Sequence, residues 1–207
     1  MPLSLKPGLT LYFCRHGETE ANVLRRFQGR TMDTPLTANG QLQARISGKI
    51  LRRVVSDPLQ FAFISSPLGR ARATMEIIRD TLGLPPELYS TDARLMELNL
   101  GAWEGLTAAE ARARFSAAYD ERAADRGNVR IPGGGENYSD VAARAESWVA
   151  DLNADTFAVS HGVFTRILRG LFAGLAWQQM SDLDEPQGVL FRVRGATVER
   201  LEARAND

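Results

Sequence analysis

Short, continuous apolar runs alternate along this chain with longer stretches in which apolar residues recur every three or four positions. Leu11-Tyr12-Phe13-Cys14, Phe61-Ala62-Phe63-Ile64-Ser65 and Thr156-Phe157-Ala158-Val159-Ser160 are apolar without interruption, which reads as strands buried on both faces. Leu42, Ile46, Ile50 and Val54 mark an amphipathic helix that Thr37 caps and Asp57-Pro58 ends. Ala71, Met75, Ile78 and Leu82 mark a second, opened by Ser66 as N-cap with Pro67 at its first position and closed by Gly83. Thr107 and Glu110 form the capping box of a helix running to Phe115. Val141, Ala145, Trp148 and Leu152 predict another, and residues 163–175 a last one. Leu88 to Thr91 is a short strand candidate, and Val189–Arg194 with Thr197–Leu201 reads as a hairpin about Gly195-Ala196. Residues 94–105 and 120–136 read as loops, the first of them facing a site. This alternation predicts a layered α/β fold with a mostly parallel sheet and an antiparallel edge.

Totals narrow the function without choosing it. The 207 residues contain 25 Lys+Arg and 25 Asp+Glu, so the net charge is zero and no nucleic-acid partner is expected. Lysine occurs only at 6 and 49, and Cys14, in the first strand, is the single cysteine. A lone thiol there excludes an internal disulfide and suits a reducing compartment. No apolar run is long enough to span a bilayer, and Met1 to Thr10 lacks a signal-type apolar core. We expect a cytoplasmic protein with no membrane partner, residues 1–207 forming a single domain.

The chemistry gathers at strand ends. The chain has two histidines, and each follows an apolar strand and precedes glycine: Arg15-His16-Gly17 and Ser160-His161-Gly162. In a parallel sheet such ends share one edge, where open α/β folds bind ligands. Neither histidine has a His-x-His partner or carboxylates at ligand spacing, so no metal is expected. Arg70 falls on the first turn after the second strand. With Arg15 and helix N-termini it makes an anion pocket suited to phosphate. Glu97 lies between the apolar pairs Leu95-Met96 and Leu98-Leu100, a setting that raises a carboxyl toward proton transfer while nearby arginines oppose the shift.

These residues belong to a longer ordered set. Arg15-His16-Gly17-Glu18-Thr19 with Asn22, Phe27-Gln28-Gly29 and Pro35-Leu36-Thr37-Ala38-Asn39-Gly40 come first. Ser66-Pro67-Leu68-Gly69-Arg70-Ala71-Arg72-Ala73-Thr74, Leu95-Met96-Glu97 and Gly101-Ala102-Trp103-Glu104-Gly105 follow. Pro132-Gly133-Gly134-Gly135-Glu136 and Ser160-His161-Gly162 complete it. In that order, over most of the chain, the set resembles the histidine phosphatase superfamily in its phosphoglycerate-mutase-like branch. The resemblance implies a three-layer α/β/α sandwich around a mixed sheet, with a substrate-cap region at about 99–140. It implies His16 as a nucleophile that becomes phosphohistidine, with Arg15, Arg70 and His161 on the phosphoryl oxygens and Glu97 as proton donor. Asn22, Gln28, Gly29, Glu18 and Gly162 are then expected to line the substrate pocket. No cofactor or metal is implied, the substrate is a small phosphorylated metabolite, and a homodimer is allowed.

Three activities fit such a set. Mutases of the family resemble Glu-Arg-x-Tyr-Gly at the acid, in a longer chain; here Leu98-Asn99-Leu100-Gly101 follows Glu97, and Trp103-Glu104-Gly105 is similar to the phosphatase branch. Hydrolysis is therefore expected over phosphoryl transfer. A non-catalytic phospho-ligand binder would lose the nucleophile or the acid, and this chain keeps both. An additional glycine and Asn137, where the family has Ser after Gly-Gly-Glu, leave the substrate open. Arg112, Arg114, Arg122, Arg126 and Arg130 are read as a solvated helix face, with a second anion site as the other reading.

Overall fold

The buried runs become the spine of one six-stranded sheet in the computed structural model, which describes residues 2–204. The strands are β1 (Thr10–Arg15), β2 (Ala62–Ser65), β3 (Ser90–Thr91), β4 (Thr156–Ser160), β5 (Leu190–Arg194) and β6 (Thr197–Leu201), in the spatial order β3-β2-β4-β1-β5-β6. The first four run parallel; β5 and β6 add the antiparallel edge. The helices are α1 (Glu20–Val23), α2 (Ala38–Val54), α3 (Gly69–Thr81), α4 (Ala108–Arg114), α5 (Ser116–Ala124), α6 (Tyr138–Asp151), α7 (Gly162–Ala173) and α8 (Trp177–Asp182).

Side-chain alternation along β1 explains the three layers. Leu11 and Phe13 enter a core with Trp148 of α6 and Phe164 and Ile167 of α7. Tyr12 and Cys14 point the other way, to Ile50 and Leu51 of α2 and Met75 and Ile78 of α3. With helices on both faces, a strand has no polar side, which is why these runs carry no alternating pattern. Among the described residues no helix is long and apolar enough to cross a membrane.

Several expectations need correction. Leu42 is exposed, and α2 buries Ala44, Ser47, Gly48 and Leu51 instead. A Cβ on Gly48 would stand 2.7 Å from Thr81 Cβ, so small residues set the close approach of α2 to α3. Ser66 does not cap α3, which begins at Gly69. Part of the expected loop at 120–136 is helical, in α5, and α8 had no predicted counterpart. Leu88 is exposed ahead of β3. Asn137, by contrast, does what a serine there would do: its side chain accepts the Asp140 N–H and caps α6.

Candidate active site

Sheet register brings the two histidines together. Arg15 of β1 pairs with Ser160 of β4, and His16 N–H donates to the Ser160 carbonyl at 2.9 Å, one residue beyond the strand. The His16 and His161 rings consequently lie 5.2 Å apart, centroid to centroid, and both are buried.

Hydrogen bonds orient both rings, and that of His16 fixes its tautomer. His16 Nδ1 lies 2.7 Å from the Gly17 carbonyl, which can only accept, so Nδ1 carries the proton and Nε2 keeps its lone pair. Arg70 Nε donates to that Nε2 at 3.2 Å. Burial first, then the charges of Arg15 and Arg70, hold the His16 pKa well below the ordinary histidine value. His161 Nε2 is 2.7 Å from Ser66 Oγ, which itself accepts the Leu68 N–H at 3.4 Å. The other ring nitrogen of His161, Nδ1, is buried with no partner. Burial, then Arg70, hold His161 neutral as well.

Because Ser66 serves His161, the start of α3 is capped from elsewhere. Asp33 accepts the backbone N–H groups of Gly69 and Arg70, and its carboxylate pairs with the Arg70 guanidinium at 3.2 Å. Arg70 also donates to the carbonyls of Gly29 at 2.7 Å and Met32 at 3.2 Å. Arg15 Nη1 donates to the Glu185 carbonyl at 2.7 Å, while its Nε is buried without a partner. Two guanidiniums and the His161 ring therefore lie about His16, an arrangement that matches a tetrahedral oxyanion.

Glu97 sits at the N-terminus of α7, accepting the N–H groups of Leu98 at 2.9 Å and of Val163 and Phe164 at 3.3 Å. Burial and, next, the Glu185 carboxylate raise its pKa; the Leu98 N–H, Arg70 and Arg15 oppose them, and the net direction is up. Its backbone is braced from behind. Arg30 and Arg144 both donate to the Glu97 carbonyl, and both are paired to Glu136, at 2.8 and 3.3 Å. Glu104 accepts the N–H groups of Arg30 and Thr31 at 2.9 Å each. It fills the space over Gly29, where φ is +56° and a Cβ would come 2.0 Å from its Oε1. The Trp103-Glu104-Gly105 and Gly135-Glu136 motifs thus act through position, fixing the Gln28-Gly29 turn and Glu97.

A cavity of about 440 Å³ opens over this cluster. Arg15, His16, Asn22, Gln28, Gly29, Arg70 and Glu97 line it; His161 stands against His16. Gly162 opens α7 beside Arg15. Glu18, expected in the pocket, is not among the lining residues. Its carboxylate accepts the Thr37 hydroxyl at 2.7 Å and its N–H donates to Gln43, tying the turn after His16 to α2. Sequence reasoning missed Arg166, Glu185 and Phe27 as lining groups, whereas Trp103, Tyr119 and Tyr138 fall in the region at about 99–140 that the resemblance gave to the substrate. Arg166 was findable, four residues past Gly162 on the same helix face. Arg112, Arg114 and Arg130 are exposed as expected, but Arg122 is buried. Its guanidinium donates to the Val129 carbonyl at 2.7 Å and lies over the Tyr138 ring, and with Arg126 it lines the cavity. Among the described residues no three His, Cys, Asp or Glu side chains cluster as a metal site would need.

Comparisons with known proteins agree with this geometry. The model of the histidine phosphatase superfamily (branch 1) matches residues 11–202. A curated relative from Salmonella paratyphi C, "Probable phosphoglycerate mutase GpmB", is 32% identical over 94% of this chain and 85% of its own length. The solved structure of Bacillus stearothermophilus YhfR superposes with a TM-score of 0.76 at 33% identity, covering 93% of this chain and 95% of that one. A mycobacterial glucosyl-3-phosphoglycerate phosphatase, solved with VO3, superposes with a TM-score of 0.76 at 29% identity, over 95% and 98% of the two chains.

Proposed function

The chain belongs to the histidine phosphatase superfamily (branch 1), and from that premise we propose that it hydrolyses phosphomonoesters through a phosphohistidine on His16. The observation that carries this reading is the His16 ring: neutral, its Nδ1–H held by Gly17, its Nε2 lone pair beside Arg70. A nucleophile needs that lone pair, and the Gly17 carbonyl stabilises the positive charge that the ring gains on attack.

In the first step Nε2 attacks phosphorus in line, and the bond from phosphorus to the ester oxygen breaks. Arg15, Arg70 and His161 hold the three equatorial oxygens, positioning and neutralising charge as such a transfer requires. Glu97, its pKa raised above the ordinary carboxyl value first by burial, protonates the leaving alkoxide. In the second step Glu97 carboxylate takes a proton from water, water oxygen attacks phosphorus, the phosphorus–nitrogen bond breaks and inorganic phosphate leaves. His16 regains its lone pair and Glu97 its proton. The substrate is a small phosphorylated metabolite whose alcohol part extends along Phe27, Trp103 and Tyr119. Cys14 as a lone, free cysteine suits the cytoplasm as the place of action.

His16→Ala abolishes turnover of a generic phosphomonoester in this scheme, and rapid acid-free quenching of the native protein traps an alkali-stable, acid-labile phosphoenzyme labelled on His16. Turnover retained by His16→Ala, or label on another residue, overturns the reading. The name borne by the 32% identical relative favours a second one, transfer of the phosphoryl group between hydroxyls of a phosphoglycerate. Isomer exchange faster than phosphate release would establish that alternative.

A further inference from the structure

Besides Glu97, one other carboxylate among the described residues lines the cavity, Glu185, in the turn before β5. Its Oε1 meets Arg166 Nη2 at 2.8 Å, and its Oε2 lies 3.7 Å from Arg15 Nη1. Its carbonyl accepts from the same Arg15 nitrogen at 2.7 Å. This approach depends on Gly162, where a Cβ would come 2.3 Å from Glu185 Oε2. Arg166 is held on its other side by the Tyr138 hydroxyl at 3.1 Å. The contacts join β1, α6, α7 and the β5 turn at one point, beside the N–H groups that Glu97 accepts.

We propose that Glu185 is a positioning residue for the phosphoryl step: it ties Arg15 to Arg166 across the N-terminus of α7 and presents a second carboxylate to Glu97. The inference rests on the reading above that Glu97 carries the leaving-group proton. Charges reach Glu97 from every packed element: Arg15 of β1, Arg70 of α3, Arg144 of α6 and Arg166 of α7. Arg30 and Glu136 are paired to each other behind it, and His16 and His161 are neutral. Four guanidiniums and three backbone N–H groups favour a bare carboxylate. Glu185 offsets them twice, by pairing two of the four and by opposing a second negative charge in the same cavity. The Glu185 charge opposes ionisation of Glu97. An acid that must arrive protonated at near-neutral pH needs such a neighbour when its other neighbours are cations.

Glu185→Gln keeps the size of the side chain and removes the charge. Glu97 then releases its proton at lower pH. The descending limb of kcat/KM for an alkyl phosphate moves toward acid by about one pH unit. With an aryl phosphate, whose leaving group needs no proton, the limb stays. Glu185→Asp restores the charge without the full reach to Arg166, so the limb returns toward its native position while kcat falls below that of the native protein. Infrared titration of the protonated-carboxyl band, assigned to Glu97 by its loss in Glu97→Gln, reads the same shift without turnover. A protein that forms no phosphoenzyme defeats the hydrolase reading yet still answers this titration. A Glu97 band that titrates at the same pH in native protein and Glu185→Gln overturns the proposal. Glu185→Ser carries the same test if the glutamine variant does not fold.

Discussion

The two ends of the cavity are built by different means. At the end where we place the phosphoryl group, His16 and His161 project from adjacent parallel strands, so their spacing follows from the pairing of Arg15 with Ser160. Arg70 is added by the first turn of α3, held by Asp33. At the far end, Phe27, Trp103, Tyr119, Arg122 and Arg126 come from turns and short helices. There, aromatic contacts replace sheet register: the Phe27 and Trp103 ring centroids are 6.3 Å apart and those of Trp103 and Tyr119 5.1 Å. The difference separates two tasks. Phosphoryl chemistry needs geometry fixed to tenths of an ångström, which a buried sheet edge supplies. Substrate choice needs a surface that can change while that edge is kept, which loops supply.

Glu97 lies between the two ends, and its removal gives the largest effect. Glu97→Gln should slow hydrolysis of an alkyl phosphate by about 10²- to 10⁴-fold, and of an aryl phosphate with a good leaving group far less. Equal losses on both would take Glu97 out of the proton-transfer role. A smaller effect belongs to the phosphoryl end alone. The buried histidines titrate well below the ordinary value of 6.5, so the unfolded chain binds protons there that the native protein refuses. Stability therefore falls as pH drops below about 6.5, by at most about 1.4 kcal/mol per pH unit for each histidine. Glu97, with a raised pKa, acts with the opposite sign in the acid range, so His161→Gln is the cleaner comparison. Its stability measured by urea unfolding between pH 5 and 7 should have the shallower slope; parallel slopes would mean that His161 is not held neutral.

The same division governs what could be read before folding. His16 and His161 were legible because each follows an unbroken apolar run and precedes glycine, and strand order alone was needed to make them neighbours. Glu97 was legible as an acid between apolar residues, but the sign of its shift was not, since tertiary burial and, next, Glu185 far along the chain raise it against the arginines. Ser66 was read as a cap because Ser-Pro is a local signal, whereas its contact with His161 is a tertiary one that outweighs it. Arg122 was read as solvent-facing because five arginines in a polar segment look alike in sequence; only the Tyr138 ring and the Val129 carbonyl distinguish it. In α2 the apolar count chose Leu42 over Gly48, because small residues at a close helix contact carry no hydrophobic signal.

The smallest effect gives the sharpest contrast between the ends, because nearly the same local change can be made at each. Thr37 caps α2 by accepting the Gly40 N–H at 3.0 Å, and its hydroxyl donates to Glu18 in the turn after His16. Thr107 caps α4 by accepting the Glu110 N–H at 3.2 Å, and the Glu110 carboxylate pairs with Arg26 at the rim of the cavity. Either Thr→Ala change should cost about 1 kcal/mol of stability, a fall of roughly 2–4 °C in Tm for a chain of this size. Their kinetic consequences should differ. Thr37→Ala loosens the turn that carries the Gly17 carbonyl, the acceptor of His16 Nδ1–H, and so lowers kcat on every ester, an aryl phosphate included. Thr107→Ala leaves that carbonyl untouched and frees Arg26 and Ala108 at the far wall. It should raise KM for esters with bulky alcohol parts while kcat on the aryl phosphate stays within about twofold, because binding energy made equally in ground and transition states affects KM alone. If both variants lowered kcat alike, the sheet edge and the loops would be one mechanical unit and the division between chemistry and choice would not hold.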